Sequence, residues 1–463
     1  MAQISNINYS DILEAQRFDA EYFKPEYLDL DKVMHKLGYH LLGNFAFITD
    51  GIHESIDFDD KSDIVLVSAK APKENYFDLS GLKFISKNQH DKNPRTALRE
   101  DDVIISTVGT IGNCAVVNKN MLPANSDRHV GIIRPKENLS SYFLSTFLLS
   151  KYGKLQTYRY RAGNVQPNLY IKDLKKIKLP VLKNFLQDEI SNIVKKALLL
   201  REKTKDYYSE AEHLLLLELG LLTYKSEHKI TFETTSQKIS HASRFDAEYF
   251  QPKYEVIVEH IENYHNGFDS VKNIIDFNNT NYKPDENKVY RYIALADISS
   301  QGYIESYDVK LGKELPSRAR RKVKTNDVII SSIEGSLSSC AIVEEEHNDY
   351  LCSTGFYIMR SKVLTPEVLL VLFKTDIIQS LLKRGSNGTI LAAITKAEIE
   401  QLKLPLIDKK VQVKISEKIK KSALLRKESK YLLELAKKSV EVAIEEGEEK
   451  ALKLIEKEIK EYV

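Results

Sequence analysis

The sequence has no tryptophan and, among 463 residues, only three cysteines and four methionines. Cys114, Cys340 and Cys352 form no CxxC pair, which excludes a disulfide scaffold and a zinc ribbon and suits a reducing, cytoplasmic setting. Long apolar runs are missing as well. The richest stretch, Leu214–Leu217 with Leu219–Leu222, is broken by Glu218 and is too short to span a bilayer. The opening residues MAQISNINYSDILEA place no basic segment ahead of an apolar one, so no secretory signal is expected. Charge of one sign is also lacking. Lys and Arg number 68 against 66 Asp and Glu, a net +2, so a case for nucleic acid must rest on local patches. At 42% hydrophobic and 29% charged residues, the composition is that of a folded chain with length for about three domains.

Catalytic signatures are absent too. There is no (D/N/S)PPY string, no GxxxxGK(S/T) phosphate loop, no HExxH helix, and no glycine-rich cofactor loop after a strand. Gly109 and Gly112 make a lone GxxG, read as a tight turn, and His35, His40, His260 and His265 read as surface residues. Pro284 to Lys288 (PDENK) echoes the acid pair and lysine of many nucleases. Metal chemistry needs carboxylates that converge on one cation, so this contiguous polar string reads as a solvated loop. The chain is expected to be non-catalytic and to hold no metal.

What is present is a duplication. RFDAEYFKPEY (Arg17–Tyr27) returns as RFDAEYFQPKY (Arg244–Tyr254), identical at nine of eleven positions and 227 residues later. DDVIIS (Asp101–Ser106) matches NDVIIS (Asn326–Ser331), and NCAVV (Asn113–Val117) matches SCAIV (Ser339–Val343). KIKLPV (Lys176–Val181) matches QLKLPL (Gln401–Leu406), and KKALLLREKTK (Lys195–Lys205) matches KKSALLRKESK (Lys420–Lys430). The islands are collinear, diverge between one another, and are spaced far beyond a solenoid period, so each copy is domain-sized.

Each copy opens with a mixed α/β part. Pro25 and Pro252 suit the first position of a helix, Gly38 and Gly267 suit stops, and helical spacing follows both prolines. Ile64–Val67, Val103–Ser106, Ala115–Val117, Val289–Ala294, Val328–Ser331 and Ala341–Val343 read as strands. Each copy closes with a helix, entered after Pro180 or Pro405. Ile190, Ile193, Leu200 and Leu214 in the first, and Leu425, Leu432 and Leu435 in the second, lie on heptad-like stripes and are candidate partner-binding residues. In the second copy Leu452, Ile455 and Ile459 extend the stripe towards the end. The expected architecture is α+β: two pseudo-repeated recognition domains (1–182 and 236–407) separated by helical spacers (183–235 and 408–463) packed as an antiparallel coiled coil.

Reading a duplex needs cations for phosphates and polar side chains for base edges. In copy two Arg318, Arg320, Arg321, Lys322 and Lys324 crowd ahead of the DVIIS segment; copy one has a thinner set that includes Arg95 and Arg99. Loops after the VIIS strands offer Ser106, Thr107, Thr110 and Asn113, or Ser331, Ser332 and Ser336. Segments before the LP motifs offer Tyr158, Arg159, Arg161, Asn164 and Gln166, or Arg384, Ser386, Asn387 and Thr389. Arg, Asn and Gln are the side chains that bond guanine or adenine in two places at once.

With the duplication, the RFDAEYF islands, GNVQPNLYIKDLKKIKLPV (Gly163–Val181) and the helical spacers, the chain resembles the specificity subunits of type I restriction–modification systems over nearly its whole length. Copy two departs from the pattern at GSNGTILAAITKAEIEQLKLPL (Gly385–Leu406). The resemblance implies that each domain reads one half of a bipartite, asymmetric site in double-stranded DNA and that the spacers set the gap. It also implies two methyltransferase subunits docked on the repeated helices, joined by motor–endonuclease subunits. S-adenosylmethionine, ATP and magnesium then belong to those partners rather than to this chain. The rival readings are a stand-alone nuclease with an unrecognised metal site, a coiled-coil adaptor without a DNA role, and a specificity protein of another modification system.

Overall fold

The computed structural model describes all residues except 1–3, 137, 164–165, 243, 388–392 and 463; the side chains of residues 241, 386, 387 and 462 are also left aside. The chain forms two compact units, Met1–Arg201 with Arg426–Val463, and Glu202–Leu425. The sequence-based boundaries set the spacers apart as separate segments. Each unit takes part of both long helices, whose apolar faces are buried against its mixed α/β part.

The centre of the first unit is an antiparallel sheet in the order Ala46–Asp50, Val130–Pro135, Val103–Ser106, Cys114–Val116. A second sheet runs Lys83–Phe84, Val65–Val67, Ala124–Ser126, its last pair parallel. In the second unit the central order is repeated by Ile275–Phe277, Phe356–Ser361, Val328–Ser331 and Cys340–Ile342. The predicted strands thus lie within a residue of their expected places. The VIIS segments are apolar without alternation because both faces are covered. In the second unit Val328 and Ile330 pack with the helix Pro366–Lys374, while Ile329 joins Ile293 and Cys352 on the other side.

The helices Pro25–Leu37 and Pro252–Glu262 begin at the expected prolines. Gly38, at φ 85°, ends the first in a backbone conformation that favours glycine. The segments Lys178–Pro180 and Lys403–Pro405 return to pair antiparallel with Tyr39–Leu41 and Phe268–Ser270, tying the end of each copy to its beginning.

The long helices run Asn184–Glu218 and Lys409–Glu446. In the first unit Ser429 Oγ donates to Ala197 O at 2.7 Å, while Lys183 N meets Glu448 at 3.2 Å. In the second unit Ser422 Oγ donates to Thr204 O at 3.0 Å, and Lys418 bonds Glu210. Within each unit a rise along one helix meets a fall along the other, which is antiparallel packing. The second stripe is not continuous to the end: Gly447, at φ 98°, interrupts it before Glu448–Tyr462.

The seam residues are corrected by their burial. Ile190, Ile193, Leu200, Leu425, Leu432 and Leu435 are each 8% exposed or less, and Leu214 packs against the second unit's core. Apart from the half-buried Leu214, they are consumed inside this chain. An apolar stripe reports that something covers it, not whose chain does so.

One polar tie in the first unit gives a pH prediction. Glu74 accepts from Lys154 Nζ at 2.9 Å and from Lys437 Nζ, on the second long helix, at 2.7 Å. Burial works to raise its pKa, but the two ammonium groups prevail and hold it down at about 2. A depressed folded pKa stabilises above the unfolded value of 4.5, and that contribution is lost as pH falls from there through about 2. The carboxylate is 41% exposed, so solvent screening reduces the contribution to about 1–2 kcal/mol. The melting midpoint is expected to fall across that window, and Glu74→Gln to flatten the fall; an unchanged slope in the variant counts against the tie.

Candidate nucleic-acid interface

Two loops far apart in sequence are joined at one end of the central sheet in the first unit. Leu169 N donates to Thr107 O at 2.9 Å, Val108 and Asn168 form a bridge, and Ala162 pairs with Asn168. The turn after Val103–Ser106 is therefore stacked on the segment before the LP motif. Gly109 and Gly112, at φ 72° and 91°, make the tight turn expected of the GxxG. Beside it opens a cleft of about 540 Å³ lined by Thr107 and Gln166, with His53, Arg128, His129, Asn168, Tyr170 and Lys172. Arg95 belongs to the same neighbourhood through its ion pair with Asp50 at 3.1 Å, and Asp50 also holds His53 at 2.6 Å. The cleft offers cations for phosphates, donors and acceptors for base edges, and an exposed tyrosine ring.

The same joining recurs in the second unit. Ile394 N donates to Ser332 O at 2.9 Å, Ile333 bridges Ala393, and Ser386–Asn387 pairs with Ala393–Ile394. Its cations arrive differently. Ala319–Lys322 is the edge strand of a four-stranded sheet, paired antiparallel with Leu351–Ser353 through a bulge between Ala319 and Arg321. In copy one the matching residues 94–97 make an isolated bridge, Ala97 to Asn125, and the short helix Lys87–Lys92 precedes them.

Residues 46–206 match the family described as the type I restriction modification DNA specificity domain. The match covers about a third of the chain and lies within the first copy. The collinear repeat and the shared sheet order make the second copy a structural counterpart of the first. A comparison with curated proteins finds no match. Among solved structures, the chain is similar to a type I restriction–modification S subunit from M. genitalium, at 12% identity and TM-score 0.37, covering 90% of this chain and 95% of that one. It is also similar to the HsdS subunit from Thermoanaerobacter tengcongensis, at 15% identity and TM-score 0.29, covering 89% and 97%. At these scores only the match over residues 46–206 bears on family.

Within the first specificity domain the predicted residues divide. Thr107 and Gln166 line the cleft, Arg95 reaches its wall through Asp50, and Thr110 is exposed at the turn with Asn113 half-buried. Tyr158 and Arg161 are exposed, the guanidinium 5.5 Å from the ring. Arg99 lies elsewhere, in a separate cleft with Arg134 and Lys195. Ser106 is buried and donates to Ala69 O at 2.7 Å, so it is corrected to a structural residue. Asn164 lies outside the described residues.

Arg159 is corrected for a stronger reason. It is 8% exposed, donates from Nε to Tyr22 O at 3.0 Å, pairs with Asp31 at 2.6 Å, and stacks 4.3 Å from the Tyr22 ring. Arg384 repeats this in the second specificity domain, donating to Tyr249 O at 2.8 Å and stacking 4.3 Å from the Tyr249 ring. Both arginines clamp the RFDAEYF islands; Arg159 is buried in doing so and Arg384 half-buried.

In the basic run of the second domain, Arg318 is exposed and Arg320 half-buried, its Nε donating to the neighbouring Ser317 O at 3.0 Å. Lys322 stands 3.9 Å from the Tyr282 ring, and Lys324 pairs with Asp349 at 2.7 Å. Arg321 instead turns inward to bond Phe356 O, and burial lowers its pKa, so it is corrected to a sheet-bracing residue. Ser331 is buried against Ser336 at 2.8 Å, and Ser332 donates to Gly355 O at 2.9 Å; these hydroxyls hold the loop rather than project from it. Ser386 and Asn387 lie in a two-residue strand whose side chains are not described, and Thr389 is outside the described residues.

Sequence reasoning missed His53, Arg128, His129, Tyr170 and Lys172. The signal was there for two of them: SDRHV (Ser126–Val130) meets STGF (Ser353–Phe356) in the repeat, a charged turn opposite an uncharged one. The PDENK string is an exposed loop in which Lys288 reaches Asp285 at 4.0 Å, as its polarity suggested. Cys340 and Cys352 are buried, which pushes their thiols up to about 12 and leaves no ready nucleophile there.

Proposed function

We propose that the chain is the DNA-reading subunit of a type I restriction–modification complex, with each specificity domain reading one half of a bipartite, asymmetric site. One observation carries this reading: the same two loops are joined at the same end of the central sheet in both copies, yet their sequences differ. A conserved support with divergent tips is what two different half-sites require. The family's members serve as specificity subunits rather than catalysts. Methyltransferase and motor–endonuclease partners are proposed to supply the chemistry, with S-adenosylmethionine, ATP and magnesium bound by them, in the cytoplasm. The antiparallel helices are proposed to fix the gap between half-sites.

The test is to express the chain with the methyltransferase subunit of its own system and sequence the N6-methyladenines. The expected outcome is one motif of two unlike halves at a fixed gap. Cleavage of DNA by the pure chain with magnesium would overturn this reading in favour of a nuclease. Absence of both methylation and DNA retention at low salt would favour an adaptor.

Phosphate contact is checked separately. Arg318→Ala with Arg320→Ala should weaken binding to every duplex alike and reduce the slope of log affinity against log salt by about 1.8. An unchanged slope removes the edge strand from the interface.

A further inference from the structure

The island repeated at nine of eleven positions holds an aromatic residue that the fold leaves in water. In each copy the AEYF segment is a 3-10 turn capped by the preceding aspartate: Asp19 accepts from Tyr22 N, and Asp246 from Tyr249 N, both at 3.1 Å. Arg17 pairs with Asp19 at 2.6 Å and Arg244 with Asp246 at 2.7 Å, and each arginine also lies over the tyrosine ring of its turn. Arg159 and Arg384 fasten the same tyrosines from below. Between these fixed residues, Phe18 is 84% exposed and Phe245 is 89% exposed.

A phenylalanine left in water on a braced turn forgoes about 1.5–3 kcal/mol of burial. Because the turn is already rigid, covering the ring costs little further ordering, a favourable setting for an interface anchor. The loops that differ between the copies suit unlike DNA halves, whereas this island is nearly invariant, which suits two encounters with one and the same molecule. The heptad residues cannot serve that purpose, since they are buried within the chain.

We infer that Phe18 and Phe245 are equivalent anchors for two copies of one protein partner, each presenting an apolar pocket to the ring. Resting on the proposed function, that partner is the methyltransferase subunit. A second repeated pair of exposed apolar residues, Leu199 at 51% and Leu424 at 63%, lies on the long helices and defines the rival surface.

The experiment measures, by native mass spectrometry and titration, how many methyltransferase subunits the full chain binds. The unaltered chain is expected to bind two, Phe18→Ala and Phe245→Ala one each, and the doubly substituted chain none, with each site weakened about tenfold or more. Retained melting temperature and DNA binding in the double variant exclude unfolding as the cause. Two subunits still bound by the double variant overturn the inference while leaving the proposed function intact. The same holds if Leu199→Ala with Leu424→Ala removes both subunits and the phenylalanine variants do not. No binding by the unaltered chain overturns the proposed function itself, and the inference with it.

Discussion

Arg159→Ala is expected to cost the first unit about 3–5 kcal/mol, while Arg384→Ala costs the second about 1–2 kcal/mol. The two arginines occupy equivalent places and fasten equivalent tyrosines, but their surroundings differ in charge. Arg159 and Lys178 share Asp31, each at 2.6 Å. Burial works to raise the Asp31 pKa, yet these cations outweigh it and hold the carboxyl below its usual value. Removing Arg159 leaves a partly buried carboxylate with one cation instead of two, and opens the Tyr22 and Tyr27 rings. Among the described residues Arg384 has no such acid: the position matching Asp31 is Val258, so a carbonyl bond and two ring contacts are what its loss removes there. Separate melting of the two units, followed by hydrogen exchange, checks the asymmetry. Equal losses would show that the acid contributes nothing. A selective loss of DNA preference without destabilisation would return Arg159 to the interface.

Replacing Arg128 and Gln166 together by Ala should abolish discrimination at the first half-site and leave the second untouched. Arg128 is exposed on the turn between two strands and pairs with no acid among the described residues, and Gln166 is exposed across the same cleft. A side chain that bonds a base in two places is worth about 1–3 kcal/mol of discrimination, so the pair amounts to about a hundredfold. The readout is the methylated motif, or binding to a duplex library randomised one half at a time. Loss of preference in both halves, or in neither, would place the reading surface elsewhere. Copy two carries Thr354 and Gly355 where copy one has its charged turn, so its half-site must be read by other groups.

Much of the architecture was legible because it is local. The strands Val103–Ser106 and Val328–Ser331 are runs of β-branched residues, and the prolines at 25 and 252 begin the helices they were expected to begin. The paired loops were also legible as polar, glycine-bearing segments, although their stacking was not: Thr107 and Leu169 are joined only in the folded domain. The basic run of copy two looked like one cluster, yet Arg321 in the edge strand turns inward while Arg318, ahead of the strand, stays exposed.

The sequence by itself determined the duplication, the near-invariance of the RFDAEYF islands, the order of strands and helices, and the lack of recognised catalytic motifs. Those are properties of pattern and propensity, and neighbours along the chain suffice to set them. Tertiary structure alone decided which arginines are clamps, which serines hold a loop, and whose chain covers the apolar stripes. Each depends on a partner remote in sequence: Tyr22 is 137 residues from Arg159, and Ala197 is 232 from Ser429. An arginine or a leucine has the same chemistry in either role, and only the atoms brought against it tell them apart.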